Sequence, residues 1–188
     1  MRPNFPTRRL LRMWRQPSVS WKRDAKEYKV DPERIALMGE SAGGHLVNLV
    51  GARNDVGVAA VVCFYGPFDM VEWAKRFEGM PLPKSVQSVF RIEALDENGL
   101  AKIREASPAT YLSRKTPPFV VIHGTKDEVV AYSQATLTLE LFKKIGVPCE
   151  LITIPDGIHG VMNWEKDASL QGYKPKMIEW LHKILGRP

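Results

Sequence analysis

Four apolar runs divide this sequence and constrain its fold more than any other feature. They are IALMG at 35–39, VAAVVCFYG at 58–66, PPFVVIHG at 117–124 and CELITIP at 149–155. Apolar runs of this length describe strands covered on both faces. Helical patterns fall between them. Residues 42–53 carry Leu46, Val47, Leu49 and Val50 on one side, and residues 132–145 are stopped by Gly146 and Pro148. Residues 174–185 put Met177, Ile178, Leu181, Ile184 and Leu185 on an inner face. Near the start, WKRDAKEYKV at 21–30 reads as a short helix and DPER at 31–34 as a turn. Strands alternating with helices predict right-handed crossovers and a parallel sheet with helices on both faces. The stretch 67–116 is longer and mixed, with helical patches at 71–77, 86–92 and 100–104. It reads as a small cap inserted between the second and third strands.

The 188 residues suit one domain, and 44% apolar with 26% charged residues is a globular composition. The net charge of +6 does not describe the body of the chain. Arg2, Arg8, Arg9, Arg12, Arg15, Lys22 and Arg23 give residues 1–23 a charge of +7 with no acid, which leaves −1 for the rest. A basic leader at 1–24, poorly ordered or docked, is therefore expected ahead of a domain at 25–188. Nucleic-acid binding by that domain is not supported. No run of about 18 apolar residues exists to span a membrane. The leader lacks the apolar segment of a secretory signal, so the chain as written reads as cytoplasmic. Cys63 and Cys149 sit in apolar strands and read as buried free thiols.

In parallel sheets, chemistry collects beyond the carboxyl ends of the strands. After the first strand comes Gly39-Glu40-Ser41-Ala42-Gly43, a G-x-S-x-G sequence opening a helix. Small residues permit a sharp strand-to-helix turn, which presents the Ser41 hydroxyl at the top of the sheet. The Ala42 N–H, at the helix start, points where an oxyanion would form. After the third strand, HGTKDEVV offers Asp127 as an orienting carboxylate, with Glu128 as its competitor. After the fourth, PDGIHG places His159 between glycines. Serine, acid and histidine thus fall at three strand ends, in the order of a nucleophilic triad. His45 reads as structural, His123 as bonded to a loop, and His182 as solvated. Trp73, Phe77 and Phe90 in the cap, and Trp164 beyond His159, are candidates to line an acyl pocket. No metal-ligand spacing and no phosphate loop occur, and no cofactor is implied.

DPERIALMGESAGGHL, ASPATYLSRKTPPFVVIHGTKDEVV and IPDGIHG together resemble the α/β-hydrolase esterase/lipase family, especially its hormone-sensitive-lipase-like and acetyl-xylan or feruloyl esterase-like branches. The resemblance covers residues 25–188. It implies a carboxylic ester hydrolase of short acyl chains that needs no cofactor, with its triad at Ser41, Asp127 and His159. Ala131 departs from the proline the family often carries after DEVV. The larger departure is upstream. The family has several strands before the serine turn, and an HGGG-type motif whose N–H groups complete the oxyanion hole. Neither occurs before Ser41, so an N-terminally shortened sheet is expected. A truncated reading frame and a natural loss would look alike. The first strand would then be a sheet edge, which the leader, a second copy or aggregation would cover, and a homodimer is the expectation. Two other readings stay open: an impaired fragment acting as an interaction module, and a prolyl-oligopeptidase-like serine peptidase.

Overall fold

The computed structural model describes residues 23–186, so nearly all of the expected leader lies outside the described residues. Strands β1 (Ala36–Glu40), β2 (Ala60–Phe64), β3 (Phe119–Gly124) and β4 (Cys149–Ile154) form one parallel sheet in the order β1-β2-β3-β4. The two central strands are buried at every residue, whereas β1 and β4, at the edges, have exposed positions. That difference follows from pairing, because among the described residues only β2 and β3 have neighbouring strands on both sides.

The helices are α1 (Ala25–Tyr28), α2 (Ser41–Arg53), α3 (Met70–Ala74), α4 (Lys84–Phe90), α5 (Glu97–Glu105), α6 (Ser133–Ile145), α7 (Val161–Trp164) and α8 (Tyr173–Leu185). Strands added always in one direction by right-handed crossovers send every connecting helix to the same face. The packing agrees. Leu37, Val61 and Phe119 stand opposite one another across β1, β2 and β3, and meet Val47 and Leu49 of α2 and Phe142 of α6. The alternate residues Val62, Val120, Phe64 and Ile122 face the other way, towards Trp180 and Tyr173 of α8. Phe119 and Phe142 are fully buried with ring centroids 4.7 Å apart. Truncating either to alanine costs about 3–5 kcal/mol for a buried aromatic.

The cap has a core of its own, in which Met70, Leu82, Val86, Phe90 and Ile103 pack together. Its first helix, α3, is capped by Asp69, whose Oδ1 accepts from the Val71 and Glu72 amides at 2.9 and 3.1 Å. Gln134 of α6 ties the cap to the sheet layer: its side-chain oxygen accepts from the Phe68 and Asp69 amides at 2.9 and 3.0 Å.

Several expected boundaries shift. β2 stops at Phe64 because Tyr65 turns left-handed, with φ of 37°. Of the helix expected at 21–30, residues 21 and 22 lie outside the described residues, and the one-turn α1 is ended by Lys29 at φ of 54°. On α8 the buried residues are Tyr173 and Trp180, while Ile178 is 49% exposed and not on the inner face. Both cysteines are free, but only Cys63 is buried; Cys149 opens the edge strand β4 and is half-buried. Burial raises both thiols, to about 11 and about 12.

Candidate active site

Ser41 sits at the first position of α2 with φ of 49°, a left-handed conformation that serine rarely adopts. The turn is held by contacts that tolerate no side chain. A Cβ on Gly39 would lie 2.4 Å from the Gly43 carbonyl oxygen, and one on Gly44 would lie 2.8 Å from Gly66 Cα. Gly43 itself has open space around its would-be Cβ among the described residues. Backbone crowding therefore falls on the first glycine of the motif and on the one just past it. The Ala42 amide lies in the first helical turn, where N–H groups have no intrahelical acceptor, and Ala42 is exposed.

Asp127 follows β3 in a tight loop. Its Oδ1 accepts from the Val129 and Val130 amides at 2.9 and 2.8 Å, which fixes the carboxylate. The loop after β4 lies against it. A Cβ on Gly124 would fall 2.1 Å from the Gly157 carbonyl oxygen, and the Lys126 amide donates to that oxygen at 3.0 Å. This stitching brings His159 to Asp127. His159 Nδ1 lies 2.7 Å from Asp127 Oδ2, and His159 Nε2 lies 2.9 Å from Ser41 Oγ. The Asp127 side chain is fully buried and that of His159 is 20% exposed. A buried carboxylate orients an imidazole whose far nitrogen meets the hydroxyl of the half-buried Ser41, an arrangement suited to removing the hydroxyl proton. The neighbouring Glu128 is exposed.

The other expected residues lie as follows. Trp73 and Phe77 are half-buried and pack on each other, with centroids 5.1 Å apart, and Trp73 also meets the buried Phe90. Arg76, next to Phe77, donates to the Val129 carbonyl oxygen at 2.6 Å, so this end of the cap borders the Asp127 loop. Trp164 departs from the acyl-pocket expectation. It is fully buried against Tyr65, Phe64 and Tyr173, because α7 turns it inward, and its indole N–H donates to the Ile158 carbonyl at 2.7 Å. It supports the histidine loop from beneath. His45 bonds the Ala106 carbonyl through Nε2 at 2.7 Å, and His182 is exposed on α8.

Three neighbours of the site were not read from the sequence as part of it. Asn163 donates to the His159 carbonyl at 2.7 Å. Tyr65 packs its ring 4.7 Å from that of His159. His123, expected only to bond a loop, does so at the Val130 carbonyl (2.8 Å) and also reaches Asp127 Oδ2 at 3.3 Å. Among the described residues, no three His, Cys, Asp or Glu side chains are grouped to hold a metal. No described helix is long and apolar enough to cross a membrane.

A parallel sheet with this serine turn after one strand, and with acid and histidine loops after two later ones, defines an α/β-hydrolase-fold protein. A model of the BD-FAE family matches residues 18–142, and the chain belongs to that family. It is 33% identical over 131 residues to the probable carboxylic ester hydrolase LipM of Mycobacterium tuberculosis, covering 63% of this chain and 30% of LipM. It is 27% identical over 174 residues to the mouse acylamino-acid-releasing enzyme, covering 86% of this chain and 22% of that one. The chain thus spans less than a third of either curated relative. Among solved structures, an acetyl ester-xyloside bifunctional hydrolase from Caldicellulosiruptor lactoaceticus superposes with a TM-score of 0.79 at 26% identity, over 95% of this chain and 66% of that one.

Proposed function

We propose that this chain is a carboxylic ester hydrolase of short-chain acyl esters, working through a Ser41–His159–Asp127 triad. The observation that carries the reading is the unbroken line from Asp127 Oδ2 through His159 to Ser41 Oγ, at 2.7 and 2.9 Å. Ser41 Oγ attacks the ester carbonyl carbon while His159 Nε2 takes the hydroxyl proton. Asp127, bonded at Nδ1, keeps the imidazole in the tautomer that leaves Nε2 free to accept, then stabilises the imidazolium. The Ala42 N–H donates to the oxyanion of the tetrahedral intermediate. Collapse expels the alcohol, which leaves with the proton from His159. A water, deprotonated by His159, then attacks the acyl-enzyme, and the acid leaves as Ser41 regains its proton.

The ester class is supported by the likeness to LipM, named a probable carboxylic ester hydrolase, and short acyl groups are favoured because the solved relative at 26% identity is named for an acetyl ester. Trp73 and Phe77 are the aromatic side chains we assign to the acyl side, at the cap edge that Arg76 anchors beside the Asp127 loop. We also assign the outer edge of β1, unpaired among the described residues, to contact with a second copy. A monomer at every concentration in sedimentation would contradict that contact.

The substrate reading is tested with p-nitrophenyl acetate and butyrate set beside a p-nitroanilide of an N-acyl amino acid. Ester turnover well above amide turnover is expected. Preference for the anilide would instead support the peptidase reading that the likeness to the acylamino-acid-releasing enzyme keeps in view. A folded chain that turns over neither would favour an interaction module.

A further inference from the structure

We infer that Tyr65 is a positioning residue for His159, and that it works by bridging the serine turn to the histidine loop through Glu40. The inference deepens the ester-hydrolase reading and rests on it. Tyr65 follows β2 directly, is 1% exposed, and is held at φ of 37° despite its bulk. Such a backbone persists only where its surroundings over-determine it. Here the turn delivers the ring and the hydroxyl to two different elements. The ring stands 4.7 Å from the His159 ring at 60°, between it and Trp164 at 5.1 Å. The hydroxyl donates to Glu40 Oε2 and accepts from the Val161 amide at 2.6 Å. Its one proton and an acceptor lone pair are therefore both used.

The partners matter. Glu40 is the variable residue of G-x-S-x-G, one position before Ser41, and stands at the cap position of α2 without making a side-chain capping bond. Its carboxylate serves Tyr65 instead. Val161 is two residues beyond His159, just past Gly160 at φ of 100°. So the element bearing the nucleophile and the loop bearing the base, distant in sequence, are joined by one buried hydroxyl. The Ser41–His159 distance depends on both ends staying in register. A small misplacement between nucleophile and base is costly, which makes this link a control on rate rather than on binding. Burial and the Glu40 bond both hold the phenol well above its ordinary pKa, so it keeps its proton for Glu40.

The test is a variant set with kcat normalised to reactive serine, titrated with p-nitrophenyl diethyl phosphate. Tyr65→Phe keeps the ring and removes the bridge; kcat should fall about 10-fold with KM nearly unchanged. Glu40→Ala, a change at an exposed residue, should lose kcat in the same way. Glu40→Gln, whose amide oxygen still accepts the phenol proton, should keep most of it. The double variant Tyr65→Phe with Glu40→Ala should be no slower than Tyr65→Phe alone, because both cut one link. Wild-type kcat per titrated serine in Tyr65→Phe, or multiplicative losses in the double variant, would overturn the inference. If the wild type hydrolyses no ester, the ester-hydrolase reading itself fails, and the bridge is read at the Val161 amide. Its hydrogen exchange should then quicken about 10-fold in Tyr65→Phe, and unchanged exchange would overturn the bridge.

Discussion

His123 and His159 share one oxygen of Asp127: His123 Nε2 lies 3.3 Å from Asp127 Oδ2, the same atom that meets His159 Nδ1 at 2.7 Å. The Nε2 of His123 also meets the Val130 carbonyl oxygen at 2.8 Å. Both of these partners are acceptors, so the neutral ring carries its proton on Nε2 and leaves Nδ1 bare. That nitrogen is buried with no partner among the described residues. Burial dominates and holds the His123 pKa below its ordinary 6.5, against the opposing pull of Val130 and Asp127. His45 is lowered as well, by burial against its bond to Ala106.

These two rings set an acid limit on stability. The unfolded chain binds their protons at about 6.5 while the folded chain resists, so the unfolded state carries more protons below that pH. Their contribution is full above about 6.5 and declines as pH falls towards the folded values. Urea midpoints measured at about pH 7.5 and 5.5 should differ, with the lower value at the lower pH. The bonded carboxyls Glu165 and Asp167, whose pKa values are lowered, fail only in more acid solution. Equal midpoints would contradict the assignment.

The two glycines of the serine motif should respond oppositely. Gly39→Ala drives a Cβ to 2.4 Å from the Gly43 carbonyl oxygen, a backbone atom that cannot yield, and should cost about 2 kcal/mol or more. Gly43→Ala meets open space inside α2 and should be neutral or stabilising by up to about 1 kcal/mol. Thermal unfolding of the two variants checks this, and equal destabilisation would contradict it.

Asp127→Asn should lower kcat by about 10²–10⁴. The amide oxygen can still accept from Val129 and Val130, but an amide N–H facing His159 Nδ1 reverses the tautomer. Glu128→Gln, at an exposed neighbour, should leave kcat within about 2-fold. Steady-state kinetics of both variants decide which acid serves the histidine. A larger loss in Glu128→Gln would move the role.

Much of this was legible in the sequence, for identifiable reasons. The four strands announce themselves because burial on both faces removes polar residues from the central pair. Ser41, Asp127 and His159 are legible because each follows a strand in a parallel sheet, where loops converge. The supporting shell was not legible, because it depends on where a chain turns. Trp164 stands five residues past His159 and looks like a pocket residue, yet the single turn of α7 swings it into the core. Tyr65 reads as part of the apolar strand at 58–66 until its φ of 37° sends the hydroxyl to Glu40 and Val161. His123, next to last in β3, is fully buried beside Asp127, a contact fixed by the loop that returns Val130 to it. In the cap, short helices around a separate small core leave only weak periodicity to read.

The proposed role of Ser41, a nucleophile activated by His159, is checked by p-nitrophenyl acetate hydrolysis with the wild type and Ser41→Ala at equal concentration, both shown folded by circular dichroism. Turnover in the wild type and a loss of about 10³-fold or more in the variant are expected. Equal rates in the two proteins would contradict it.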